Sequence, residues 1–196
     1  MTPAMQRPGG GLDWWRLKLQ AIVLLILNRR AAALDVFDAM LARWPDDPYA
    51  LASRCHVRAQ LGRRDDAIAD AERLTALYPQ RSAGDWFNLA FLLDEAGRLA
   101  EAEAAFRRAL ALDDKLDRAW YGLGLALIRQ QRWDEAVAAL ERNTKLQPMS
   151  PYGWYQLARV HIDRHDPEAA RKIIRHLQGF EPKIAAQLQR ETGLAP

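Results

Sequence analysis

An alanine recurs in a fixed frame along this chain, at Ala33, Ala67, Ala102, Ala136 and Ala170, with intervals of 34, 35, 34 and 34 residues. A period of that size marks tandem supersecondary units that bury one another's apolar faces, not a single closed core. With the alanine numbered as position 20, repeats begin at Trp14, Pro48, Ala83, Asp117 and Pro151. Position 4 holds Leu17, Leu51, Trp86, Trp120 and Trp154, and position 8 holds Ala21, Cys55, Ala90, Gly124 and Ala158. Position 24 holds Phe37, Ala71, Phe106, Leu140 and Ile174.

These spacings predict two antiparallel helices per repeat. Positions 4, 7, 8 and 11 share one face of a first helix, and positions 20, 24 and 27 share one face of a second. Small residues at 8 and 20 let the two axes approach, and large ones at 4 and 24 fill the flanking space. Asp13, Asp47, Ser82 and Ser150 precede first helices as N-caps, and Pro48 and Pro151 suit the first helical position. Gly62, Gly97 and Asn28 share the turn position, where a left-handed residue ends a helix. The expected architecture is an all-α solenoid, a right-handed superhelix of helix pairs over residues 13–184. Its repeats are 14–47, 48–82, 83–116, 117–150 and 151–184. A flexible segment, 1–12, carries Gly9, Gly10 and Gly11, and a polar C-terminal cap spans 185–196, with a short helix from Lys183 to Thr192 that stops at Gly193.

Trp86, Leu89 and Ala90 with Ala102 and Phe106, and Trp120, Leu123 and Gly124 with Ala136 and Leu140, resemble the tetratricopeptide repeat. Repeat five is close, with Trp154, Leu157, Ala158 and Pro182. Repeat two departs at Arg54 and Arg58, where the family prefers Leu and Tyr, and repeat one is degenerate. The resemblance implies that the first helices line a concave groove. The positions that point into it carry Tyr49 and His56, then Phe87, Asn88 and Phe91, then Arg118, Tyr121, Leu125 and Arg129, then Tyr155, Gln156 and Arg159. Gly122, Asp94 and Asp163 fall on the same positions. Solvent-facing aromatics in a row mark an interaction site, so another protein, as a peptide or helix, is the expected partner. Lys18 and Ile22 do not make the Lys–Asn pair with which some family members grip a terminal carboxylate.

The first helix is apolar on every side from Ala21 to Leu27. That is too short to cross a bilayer, which takes about 20 such residues. Asn28, Arg29 and Arg30 follow where a signal-peptide cleavage site would stand, so the run is read as part of the fold and the protein as cytoplasmic. Ile22, Leu25 and Ile26 are surplus to packing and predict a homodimer or an obligate partner helix. Folding of Met1 to Leu12 over this helix, opposed by the flexibility of Gly9, Gly10 and Gly11, and docking on a membrane surface, helped by Arg16, Lys18, Arg29 and Arg30, are the alternatives.

Catalytic chemistry is not expected. Cys55 takes a small-residue core position. His161 and His165 have the i,i+4 spacing of a zinc pair, but one holds a core position and the other the turn position. No metal, no cofactor and no enzyme activity are expected. The leading reading is a scaffold, adaptor or assembly factor. A chaperone for an exported apolar protein is the alternative, and an RNA-binding helical repeat comes third. With 28 Lys and Arg against 25 Asp and Glu, a net charge of +3, nothing singles out nucleic acid.

Overall fold

A computed structural model describes residues 11–194, and every regular element among them is a helix. They run α1 (Leu12–Ile26), α2 (Arg30–Arg43), α3 (Pro48–Gln60), α4 (Arg64–Leu77), α5 (Ala83–Glu95) and α6 (Leu99–Leu112), then α7 (Asp117–Arg129), α8 (Trp133–Leu146), α9 (Pro151–Asp163), α10 (Pro167–Gln178) and α11 (Pro182–Thr192). The fold is an α-solenoid of helix hairpins. It divides into two compact units, one ending at Leu92 and the other beginning at Leu93. Nearly all of the proposed flexible segment lies outside the described residues.

Each hairpin closes by the same device. Asn28, Gly62, Gly97, Gln131 and His165 occupy one position and all have positive φ, between 56° and 77°. The next residue then donates its N–H to the carbonyl five positions earlier: Arg29 to Leu24, Arg63 to Arg58, Arg98 to Leu93, Arg132 to Leu127 and Asp166 to His161, at 2.8–3.0 Å. This is the Schellman closure, which satisfies carbonyls that a helix end leaves open. Gln131 and His165 hold the turn without being residues that advertise it. At the N-termini, the Asp47 carboxylate accepts the Ala50 N–H at 2.7 Å, the Ser82 hydroxyl accepts from Gly84 at 3.0 Å, and Asp166 accepts from Ala169 at 3.1 Å. Ser150 precedes α9 with no side-chain cap bond. Asp13 is not a cap: α1 starts at Leu12 with Gly11 as its N-cap, and Asp13 pairs with Arg43 at 3.4 Å.

The five alanines at position 20 are all fully buried, as are Ala21, Ala90 and Ala158 at position 8. Opposite them Phe37, Phe106, Leu140 and Ile174 are buried too. The position-4 tryptophans add a polar tie. The indole N–H of Trp86 donates to the Pro79 carbonyl (2.9 Å), that of Trp120 to Asp114 (2.8 Å) and that of Trp154 to Pro148 (2.9 Å), each at position 32 of the preceding repeat. A half-buried tryptophan thus fills space with its rings and satisfies its one donor at the neighbouring repeat's edge.

Repeat two owes its departure from the pattern to a buried charge cluster. Asp70, on α4, accepts from Arg54 Nε at 2.9 Å, Arg54 Nη2 at 2.6 Å and Arg58 Nη1 at 2.8 Å. Asp38, on α2, takes Arg54 Nη1 at 2.7 Å. Burial works against the Arg54 cation, but the bonds to Asp70 and Asp38 outweigh it and raise its pKa. Position 23, which Asp70 occupies, is apolar in the other repeats: Val36, Ala105, Ala139 and Ile173. Two arginines on one helix are therefore compensated by an aspartate on the other.

Candidate functional site

With positions 4 and 8 of each first helix turned onto its partner helix, positions 2, 5, 6, 9 and 13 are left on the opposite side. In the second compact unit these belong to α7 and α9. Tyr121, Leu125, Tyr155 and Gln156 are half-buried there, and Arg118, Arg129 and Arg159 are exposed. Tyr152, 70% exposed, joins them. It was missed from the sequence although it stands at position 2, the same place as Tyr49 and Arg118, so the frame alone would have found it. Gly122 is not part of this surface in any useful sense. A Cβ there would lie 2.4 Å from Cζ of Phe106, so its missing side chain makes room for the ring.

The cations in this row are largely answered from within the protein. Arg129 Nη1 donates to the Asp94 carboxylate at 2.7 Å and the Asp94 carbonyl at 3.3 Å. Partial burial raises the Asp94 pKa, against the pull of Arg129. At the other end, α11 brings Glu191 onto α9. Tyr155 donates to Glu191 Oε2 at 2.6 Å, and Arg159 Nη1 lies 3.3 Å from both the phenol oxygen and the carboxylate. Bonds from Tyr155 and then Gln187 hold the Glu191 carboxyl below its usual range. Arg129 and Arg159, expected at the groove, are therefore already paired with carboxylates of this chain. The C-terminal helix, read from the sequence as a polar cap, also supplies the acid that orients Tyr155.

In the first compact unit the predicted residues part company. Tyr49 is a packing residue: it lies against the core that contains Phe37, Met40 and Leu51, with ring centroids 5.8 Å from Trp14 and 6.2 Å from Phe37. Burial raises its pKa. His56 is exposed and its Nε2 lies 2.9 Å from Gln60 Nε2. Phe87 is half-buried and Asn88 exposed, and Phe91 remains 49% exposed. On α1, Leu25 packs against the same core, so it is not surplus. Ile22 is half-buried and Ile26 is 77% exposed. The helix is not buried all round; Ala21 is its one buried residue.

Other reactive groups are placed for packing. Cys55 is buried, and burial pushes its thiol up to about 12, so it stays protonated at neutral pH. His161 is buried, with Nδ1 3.6 Å from Asp166 Oδ2. His165 is exposed in the neighbouring turn. His176 stacks between Trp154 (centroids 4.5 Å) and Phe180 (5.3 Å). A cleft of about 530 Å³ lies along the turns of repeats four and five. It is polar, and its walls pair with each other: Arg164 with Asp134 at 2.7 Å and Arg132 with Glu135 at 2.7 Å.

The tetratricopeptide repeat model matches residues 18–82, 56–117, 87–151 and 121–179, overlapping windows that together run through most of the chain. No curated protein matches it. Among solved structures, the chain is similar to a MamA protein at 18% identity and a TM-score of 0.82, with 93% of this chain and 97% of that one covered. A MamA fragment from Desulfovibrio magneticus RS-1 aligns at 17% identity and a TM-score of 0.79, covering 95% of this chain and all of that one. YrrB, described as a TPR protein with an unusual peptide-binding site, aligns at 17% identity and a TM-score of 0.77, covering 87% of this chain and 88% of its own. Likeness at such low identity speaks for the fold. The repeated frame, the five identical hairpin closures and the family match agree, and the chain belongs to the tetratricopeptide repeat family.

Proposed function

We propose that this protein is a non-catalytic scaffold or adaptor that holds a segment of another protein against its first helices. One observation carries the reading: Tyr121, Leu125 and Tyr152 keep apolar surface in solvent while positions 8, 20 and 24 already close the helix pairs. Apolar surface that packing does not need marks a contact site. Tyrosine suits it, because a large ring with few rotatable bonds loses little entropy on binding. The partner is an extended or helical peptide with aliphatic anchors. YrrB's described peptide-binding site supports such a use of this fold. Asp94 and Glu191, beside Arg129 and Arg159, put carboxylates where an RNA-binding groove would offer cations to phosphate. The buried free thiol of Cys55 agrees with a cytoplasmic setting.

The test is selection from a displayed library of random peptides, followed by titration of the enriched peptides. Wild type is expected to enrich peptides with spaced aliphatic residues. The variant Tyr121→Ala/Tyr152→Ala is expected to bind them at least tenfold more weakly, with an unchanged melting curve. Enrichment of peptides that bind both proteins equally would refute the placement on α7 and α9, and no enrichment at all would refute the reading.

A further inference from the structure

Six large apolar residues of α1 and its C-cap face solvent: Leu12 (91% exposed), Trp15 (50%), Leu19 (58%), Val23 (53%), Ile26 (77%) and Leu27 (61%). They lie on the side opposite Ala21, with Ile22 among them, at the spacing of one helix face. Position 10 makes the anomaly explicit. Val57, Leu92, Ala126 and Val160 hold it in the later repeats and are at most 6% exposed, whereas Val23 holds it here. The face is built like a packing surface, yet no described residue covers it.

Charge decides what does. Arg16 lies on one flank of the stripe and Lys18 on the other, and Arg29 and Arg30 follow the end of the helix. The Lys18 ammonium rests over the rings of Tyr49, Trp14 and Trp15, 4.4–5.0 Å from their centroids. Asp13, the only carboxylate on α1, turns to Arg43. A second copy laid on this face would set cation against cation. Among the described residues no helix is long and apolar enough to cross a membrane.

We infer that α1 docks this protein on an anionic membrane surface, lying in the interface with Trp15, Leu19, Val23 and Ile26 among the acyl chains and Arg16, Lys18 and Arg29 at the headgroups. A helix of this kind sinks its apolar face about 5–10 Å and needs no complementary protein surface. Tryptophan sits at the headgroup level, where its amphipathic ring is at home. Basic residues beside the stripe add attraction that screening by salt removes. This surface is made by α1 and shares no residue with the peptide-contacting rows of α7 and α9.

The experiment is cosedimentation of the full chain with vesicles of phosphatidylcholine, alone or with about one third phosphatidylglycerol, at about 0.1 M and 0.5 M salt. Strong partitioning onto the anionic vesicles at low salt is expected, with at least tenfold less onto pure phosphatidylcholine or at high salt. Leu19→Ser/Ile26→Ser and Arg16→Glu/Arg29→Glu are each expected to lose at least tenfold while melting as wild type does, since all four side chains are exposed. Absence of wild-type partitioning overturns the inference, as does partitioning that neither variant weakens. A dimeric mass in light scattering that Leu19→Ser/Ile26→Ser abolishes overturns it in favour of a second copy.

Discussion

Deleting the Asp70 carboxylate should remove a large part of the stability of the first compact unit. Its side chain is 4% exposed, and it faces two guanidiniums that are 16% and 17% exposed. Asp70→Ala breaks three charge-assisted bonds at once. The one carboxylate left, Asp38, is 47% exposed, and it sits 2.7 Å from Arg54 but 3.8 Å from Arg58. Arg58 Nε already lacks a partner in the folded protein. Removing one member of a buried ion cluster costs about 3–5 kcal/mol, because the remaining charges stay desolvated and unanswered. At about 4–8 °C per kcal/mol for a body of this size, the melting temperature should fall by at least about 12 °C. Removing all three charges together should rescue the loss. Repeats three and four carry Leu89, Leu93 and Ala105, and Leu123, Leu127 and Ala139, at the corresponding positions. Arg54→Leu/Arg58→Leu/Asp70→Ala imports that apolar set and should be at least as stable as wild type. Thermal and urea unfolding followed by far-UV circular dichroism measure both. A loss below about 1 kcal/mol for Asp70→Ala, or a triple variant as unstable as the single one, would falsify the view that the charges depend on one another in a buried setting.

Gln131 sits at φ 59° in the turn where Gly62 and Gly97 stand in other repeats. An L-residue there carries about 1–2 kcal/mol of strain, and glycine's extra freedom when unfolded returns part of it, so Gln131→Gly should gain about 0.5–1 kcal/mol of stability, read from urea unfolding as a higher midpoint. Gly122→Ala should lose about 1–3 kcal/mol by overpacking against Phe106, whose Cζ would lie 2.4 Å from the new Cβ; adding Phe106→Leu should recover most of it. Burial holds the His161 pKa below 6.5, with Asp166 pulling the other way. The unfolded chain therefore takes up the proton first, and the stability His161 contributes is complete above pH 6.5 and lost as pH falls toward its lowered folded value. The melting temperature should decline between about pH 7 and pH 5, less steeply in His161→Gln, and equal slopes for the two proteins would contradict the assignment.

What the linear chain decides here is whatever depends on neighbours three, four or seven residues apart. The alanine period, the small residues at position 8, the Asp47 cap and the glycine turns are all local, and helix geometry converts each into a place on a face. The hairpins follow, because a face that is apolar on one side has to be covered. Pairings between helices are of another kind. Asp70 lies 16 residues from Arg54, Asp94 lies 35 from Arg129, and Glu191 lies 36 from Tyr155. No periodicity selects those partners; the packing of helix on helix does. That is why Arg54 and Arg58 read as departures from a pattern and turn out to be half of a compensated exchange. It is also why Tyr49, at a groove position by number, and Leu25, read as surplus to packing, lie half-buried against the core: only the fold tells which side of a helix its neighbours have left uncovered.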